Sequence, residues 1–212
     1  VSVGTLQAGA ANAFSSSSAV SLANTVGATL DLNGNNNTIA SLAGGGTTGG
    51  NVTLGTGTLT TGGDNSSTSY GGVISGAGVL LKTGSGTLTL TGTNTYSSGT
   101  QVTGGAVSVV ADANLGDSAG TLALNNGQLT TTGAFSSSRP VTLTNTGTIN
   151  TGSALTLSGA LTGTGGLTKA GSSTLTLSGT SNAYSGTTTV SVGTLRAGAA
   201  NAFSSSSAVS LA

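Results

Sequence analysis

"VSVGTLQAGAANAFSSSSAVSLA", residues 1–23, returns as "VSVGTLRAGAANAFSSSSAVSLA" at residues 190–212, with one change, Gln7 against Arg196. A single domain built around one core has no reason to close on the letters with which it opens. A tandem array does, because the end of one copy is the beginning of the next. The offset is 189 residues, and self-similarity at a fixed period is the mark of a repeat architecture. Residues 1–189 are therefore expected to form one repeat unit. Residues 190–212 are expected to start the next copy, continuous with the same stack.

Inside this period the local pattern is strand. "GTLTLTGT" (86–93), "PVTLTNTGTIN" (140–150), "ALTLSGAL" (154–161) and "STLTLSGT" (173–180) place Leu, Val or Ile at alternate positions, with Thr, Ser or Ala between. Period two marks a strand with one buried face, and β-branched Thr and Val suit that geometry. The runs are four to six residues long and are punctuated by Gly, Asn and Ser. No stretch keeps helical spacing over a useful length.

A second, weaker repeat lies inside the first. "VLLKTGSGTLTLTGTNTYSSGTQV" (79–102) is echoed by "GLTKAGSSTLTLSGTSNAYSGTTTV" (166–190), with Lys82 matched to Lys169 and Leu88 to Leu175 at an offset of 87, and Tyr96 to Tyr184 at 88. A sandwich has no use for such nesting. A coiled stack does, since each turn touches only its neighbours. Read as four coils and five coils, the 87-residue offset and its complement give nine rungs per period. That is a rise of about 43 Å at roughly 4.8 Å per rung. Phe14 and Phe203 should then share a side of the stack.

The composition agrees. There are 38 Gly, one Pro and no Cys, Met, Trp or His, and only eight charged residues. A narrow coil wants Leu and Val inside, few large aromatics, little Pro in its ladders, and Gly or Asn wherever a tight corner requires positive φ. Disorder is disfavoured by zero net charge and a mean hydropathy of +0.24, since disordered chains tend to be charged and poor in apolar residues. Nucleic acid selects basic surfaces, and anionic membrane surfaces also select Lys and Arg; neither partner fits. No apolar run approaches a membrane span, so no membrane insertion by this segment is expected.

The stretch "GAGVLLKTGSGTLTLTGTNTYSSGTQVTGGAV" (76–107) resembles the autotransporter-associated β-strand repeat of bacterial surface proteins. Gly76, Gly78, Leu80, Lys82, Gly84, Gly86, Leu88, Leu90, Gly92, Asn94, Tyr96 and Thr100 fill that pattern. A second copy runs from Gly163 through Gly165, Leu167, Lys169, Gly171, Leu175, Leu177 and Gly179 to Tyr184, with Ser173 where the motif has Gly. The resemblance implies an all-β chain, a right-handed parallel β-helix (β-solenoid). It implies a structural or adhesive segment of a giant extracellular repeat protein at the bacterial outer-membrane surface, forming a stalk or fibre for surface attachment or cell–cell contact. The expected partners are neighbouring repeats of the same protein, stacked end to end, with host or cell-surface glycans or proteins as candidate ligands.

Candidates for chemistry carry little. "GDSAG" (116–120) matches the nucleophile elbow with Ser118 as nucleophile, but the chain has no His to serve as base. "GGGTTG" (44–49) spaces Gly44, Gly46 and Gly49 as in a dinucleotide fingerprint, without a crossover helix to follow. Asp112 and Asp117 could be the carboxylate pair of a carbohydrate-active β-helix enzyme, the alternative function; as turn caps they need no third group. Asp64 and Asn65 offer calcium ligands, but the nonapeptide array that usually holds calcium in a β-helix is missing. The Thr58/Thr60, Thr87/Thr89, Thr142/Thr144 and Thr174/Thr176 pairs could form an ice-binding face, but they lack a constant spacing and suit the solvent side of strands. Lys82 and Lys169 read as solvated residues that discourage lateral sheet pairing. The expectation is no enzyme, no catalytic, cofactor-binding or metal residue, and no cofactor.

Overall fold

In the computed structural model, which describes residues 1–211, the chain winds as a three-sided parallel coil. The first side carries Thr5–Gln7, Thr29–Asp31, Asn51–Thr53 and Ile74–Ser75, then, after a gap, Phe135–Ser137, Leu155–Leu157, Thr174–Leu177 and Thr194–Ala197. The second carries Asn37–Thr38, Thr58–Thr61, Val79–Lys82, Thr100–Val102, Leu122–Leu124, Val141–Leu143, Leu161–Gly163 and Ala183–Tyr184. The third is a ten-stranded sheet: Ala19–Leu22, Ser41–Gly44, Thr68–Tyr70, Thr87–Leu90, Ala106–Val109, Gln128–Thr131, Gly147–Thr151, Leu167–Ala170, Thr188–Val190 and Val209–Leu211. Each strand pairs in parallel with the strand one turn away, so that Leu80 lies between Leu59 and Thr100, and Leu129 between Val107 and Ile149.

Alternation decides which way each residue points. In Thr87–Leu90 the leucines are buried while the threonines are partly open, and Val141–Leu143 and Leu155–Leu157 repeat the pattern. The inward Leu, Val and Ile make one continuous core along the axis. The outward rows are polar but not pure threonine: on the third side Thr87, Ala106, Gln128, Thr148 and Thr168 succeed one another. Such a mixed row lacks the regular hydroxyl lattice an ice-binding face needs.

Turn length varies from 19 residues, as between Leu88 and Val107, to 26, between Gly44 and Tyr70, with the corners absorbing the difference. This corrects the reading of the 87-residue offset as whole coils. Four turns carry the second side from Val79–Lys82 to Leu161–Gly163, but Lys169 lies one side further on, in the ten-stranded sheet. Leu88 and Leu175 likewise fall on the third and first sides. The internal repeat therefore advances four turns and a third. The 189-residue offset links Val20 with Val209, which stand in the outermost strands of the ten-stranded sheet, nine strand-to-strand steps apart. Phe14 and Phe203 both lie against the second side: the Phe14 amide donates to Asn37 Oδ1, and the residues flanking Phe203 bond to Asn182 and Tyr184.

Corners need special backbone. All the non-glycine residues with positive φ are asparagines: Asn12, Asn33, Asn65, Asn126 and Asn201. Asn tolerates this region because its short amide can bond locally. Packing inside is not perfect, since the buried Thr61 hydroxyl has no hydrogen-bond partner. An orphaned buried hydroxyl costs about 1–3 kcal/mol. Thr61→Val, which keeps the shape, should therefore raise stability by about 1 kcal/mol in a urea titration.

Candidate functional site

The residues that give the two internal copies their signature gather at corners. In each copy a strand ends on the lysine, a glycine-bearing corner follows, and the next strand begins: Val79–Lys82 then Thr87–Leu90, and Leu167–Ala170 then Thr174–Leu177. Neither lysine is solvated, which corrects the surface role expected of them. Lys82 is 1% exposed and Lys169 0%. Each faces inward because it occupies the inward phase of its strand. Its ammonium then reaches the corner, where Lys82 Nζ donates to the carbonyls of Thr83 and Gly84. Lys169 Nζ donates to those of Ala170, Gly171 and Val192, the last one turn away. Three donors on a flexible stem suit carbonyls that no strand can satisfy.

The motif asparagine does a related job. Asn94 Oδ1 accepts from the Ile74 amide in the turn below, and its Nδ2 donates to the Asn114 carbonyl in the turn above. Asn182 repeats this, accepting from Leu161 N and donating to Ala202 O. A side-chain amide thus replaces a peptide where strand pairing lapses. The motif tyrosines complete the set, with Tyr96 and Tyr184 hydroxyls 2.6 and 2.7 Å from Thr100 and Thr188 Oγ1. All three tyrosines are fully buried. The expectation that large aromatics fit poorly therefore fails for them, because neighbouring glycines make the room: a Cβ at Gly72 or Gly116 would strike Tyr70 or Tyr96.

The first side breaks at residues 94–120, where a single turn of 3-10 helix, Asp112–Leu115, replaces a strand. Arg139, 1% exposed, holds this excursion. Its Nε and Nη2 bond Asp112 Oδ1 and Oδ2 at 2.8 and 3.1 Å, and its remaining donors take the carbonyls of Asp112, Leu115, Gly116, Asp117 and Gly120. Asp112 is thus an ion-pair partner and not the turn cap expected. Asp117 is a cap, accepting from Ala119 N at 2.9 Å. Ser118 sits in the exposed turn beyond it. The Asp112–Arg139 pair gave no signal in the sequence, because the two residues are 27 positions apart and no motif contains them.

The other candidates are also structural here. Thr48 N and Gly49 N both donate to Asn24 Oδ1, so the amides that would cradle a phosphate in the "GGGTTG" loop are occupied. A groove of about 490 Å³ lies beside this loop, between Thr47, Thr48, Thr91 and Thr93. Asp64 Oδ1 accepts from Ser66 N and Oγ, and Asn65 Oδ1 from Ser85 N and Oγ, so the proposed calcium ligands close turns. Among the described residues no group of three or more His, Cys, Asp or Glu converges, and no helix is long and apolar enough to cross a membrane.

Two segments, residues 80–109 and 167–197, match the passenger-associated-transport-repeat family. These are the two lysine–asparagine–tyrosine corners, and with the coil they match the passenger β-helix of autotransporters. The chain is also similar to the adhesin BmaC autotransporter of Brucella suis biovar 1 (strain 1330), 40% identical over 145 residues, which is 63% of this chain and 4% of that protein. The chain thus spans a small fraction of the length of the relative it matches. No solved structure matches it.

Two tests follow from the buried charges. Arg139→Met leaves Asp112 and five carbonyls without their donor, and breaking a buried pair costs about 3–5 kcal/mol. Amide exchange of residues 112–120 should accelerate before that of the ten-stranded sheet. The second test is pH. Burial holds both lysines below their ordinary 10.5, with Asp64 partly opposing this at Lys82. Between the lowered value and 10.5 the unfolded chain binds more protons, so stability rises with pH there. Burial raises Tyr70 and Tyr96 above their ordinary 10.0, so above about 10 the unfolded chain ionises first and stability falls. Denaturant midpoints should therefore peak close to pH 10. Replacing both lysines by Met should flatten the rising limb alone.

Proposed function

We propose that this chain is a structural, adhesin-like section of the exported passenger of a large bacterial surface protein, displayed outside the outer membrane. It serves as a rigid spacer that also offers contact surface. The observation that carries this reading is the coil itself: an unbroken ten-stranded sheet whose motif residues are spent on corners and whose outward rows are small, polar and uncharged. Neighbouring repeats continue the coil end to end, and glycans or proteins of host or neighbouring cells are the contacts made. A similar protein bears the printed name adhesin, which supports the adhesive half of the reading.

The reading gives no role to catalysis. The carboxylates that a carbohydrate-active enzyme would use, Asp112 and Asp117, serve Arg139 and a turn. Release of reducing ends from bacterial or plant polysaccharides, abolished by replacing both acids with Asn, would overturn this.

One, two and four copies should be displayed on a non-adherent bacterium through a fixed anchor. Electron microscopy should show the projection lengthening by about 43 Å per copy, at roughly 4.8 Å per rung. Attachment to epithelial cells or to sister cells should rise several-fold over the bare anchor. An unchanged length would remove the spacer, and unchanged attachment the adhesive role.

A further inference from the structure

We propose that the end face carried by residues 190–211 is a docking surface for a rung with the sequence of residues 24–45, and that Arg196 pairs across this junction with an acid placed as Asp31 is. The proposal rests on the reading that repeats continue one another.

The same sequence is seen twice with opposite edges covered. Ala19–Leu22 pairs with Ser41–Gly44 above it, whereas its copy, Val209–Leu211, pairs with Thr188–Val190 below. Thr5–Gln7 pairs with Thr29–Asp31 above, and its copy, Thr194–Ala197, with Thr174–Leu177 below. Superposed, the two views supply both neighbours of one interior rung. They would also join the two four-stranded sheets of the first side. The apolar surface shows what is missing: Leu22 is 1% exposed under its cover, and Leu211, the same position of the repeat, is 82% exposed. Ala8 is buried and its copy Ala197 is exposed.

The single difference between the copies falls on this interface. Gln7 Nε2 donates to Asp31 Oδ2 at 2.7 Å. Arg196 stands in the matching place, its Nε on Thr176 Oγ1 at 3.1 Å in the rung below. Its Nη groups make no hydrogen bond among the described residues. A carboxylate in the position of Asp31 would meet a guanidinium there instead of an amide, which is a stronger, fork-shaped partner. The chain's own opening rung would instead bring Gln7 to Arg196, so residues 24–45 are the better occupant and a free N-terminal end the poorer one.

The test appends residues 24–75 directly after Ala212. The reporters are the amides of Ala197 and Asn201, because their copies Ala8 and Asn12 donate to Asp31 O and Asn36 O at 2.8 and 2.9 Å. Their hydrogen exchange should slow at least tenfold in the extended chain. It should not slow when residues 46–97 are appended out of phase. At low salt Arg196→Gln should speed exchange of Ala197 roughly two- to fivefold, the size of a surface ion pair. This effect should vanish in 1 M salt, and in a chain whose appended acid is Asn. Protection that is absent, equal in both extensions, or unaffected by the acid would overturn the proposal. So would concentration-dependent protection in the unextended chain, which would mean that another molecule's free end serves as well. A protein that failed to promote attachment would leave these exchange rates unchanged, so the two readings fail separately.

Discussion

The structure depends on one spacing. A parallel ladder holds successive backbones about 4.8 Å apart, and in a coil the corners must obey that spacing as strictly as the strands. At a corner there is no room for side chains between stacked turns. A Cβ on Gly165 would collide with the Asn145 carbonyl, and one on Gly78 with the Gly57 carbonyl. The abundance of glycine is a consequence of rung spacing, not of flexibility, and the asparagines at positive φ mark the places where the same bend is made with a side chain attached.

Tight corners create a second problem. Backbone carbonyls there lack a strand partner, and burying them unpaired is costly. The chain answers with long polar side chains sent inward. Lys82 and Lys169 each cap a corner, Asn94 and Asn182 bridge adjacent turns, and Arg139 gathers five carbonyls around the one broken side. Three of the four basic side chains are therefore internal. A chain with eight charges spends most of its positive ones where the backbone needs donors, and its outside is left nearly uncharged.

This explains what the sequence could and could not convey. Strand alternation reports directly on which way a residue points, so the inward leucines and outward threonines were legible from runs such as "GTLTLTGT". The parallel coil followed from the nesting of repeats. The lysines were misplaced because their charge was weighed above their phase. Lys82 follows Leu80 by two, which places it on the inward face, and period two outranked polarity. The tyrosines were misjudged in the same way, since the glycines that make room for them lie in other turns. The Arg139–Asp112 pair joins elements that only the winding brings together. The number of turns between the internal copies was also hidden, because corners of unequal length absorb residues without disturbing the strands.

That last point bears on what the internal repeat is for. If it marked a binding surface, its copies would be expected on one side, aligned along the axis. They lie instead on different sides, a third of a turn apart, while each keeps its lysine, asparagine and tyrosine turned inward. A motif indifferent to side but constant in its inward contacts is a device for making corners. Whatever the coil presents to other molecules must be carried by the outward residues between the motif positions. Those residues are free to change from copy to copy without disturbing the ladder, as the exchange of Gln7 for Arg196 shows.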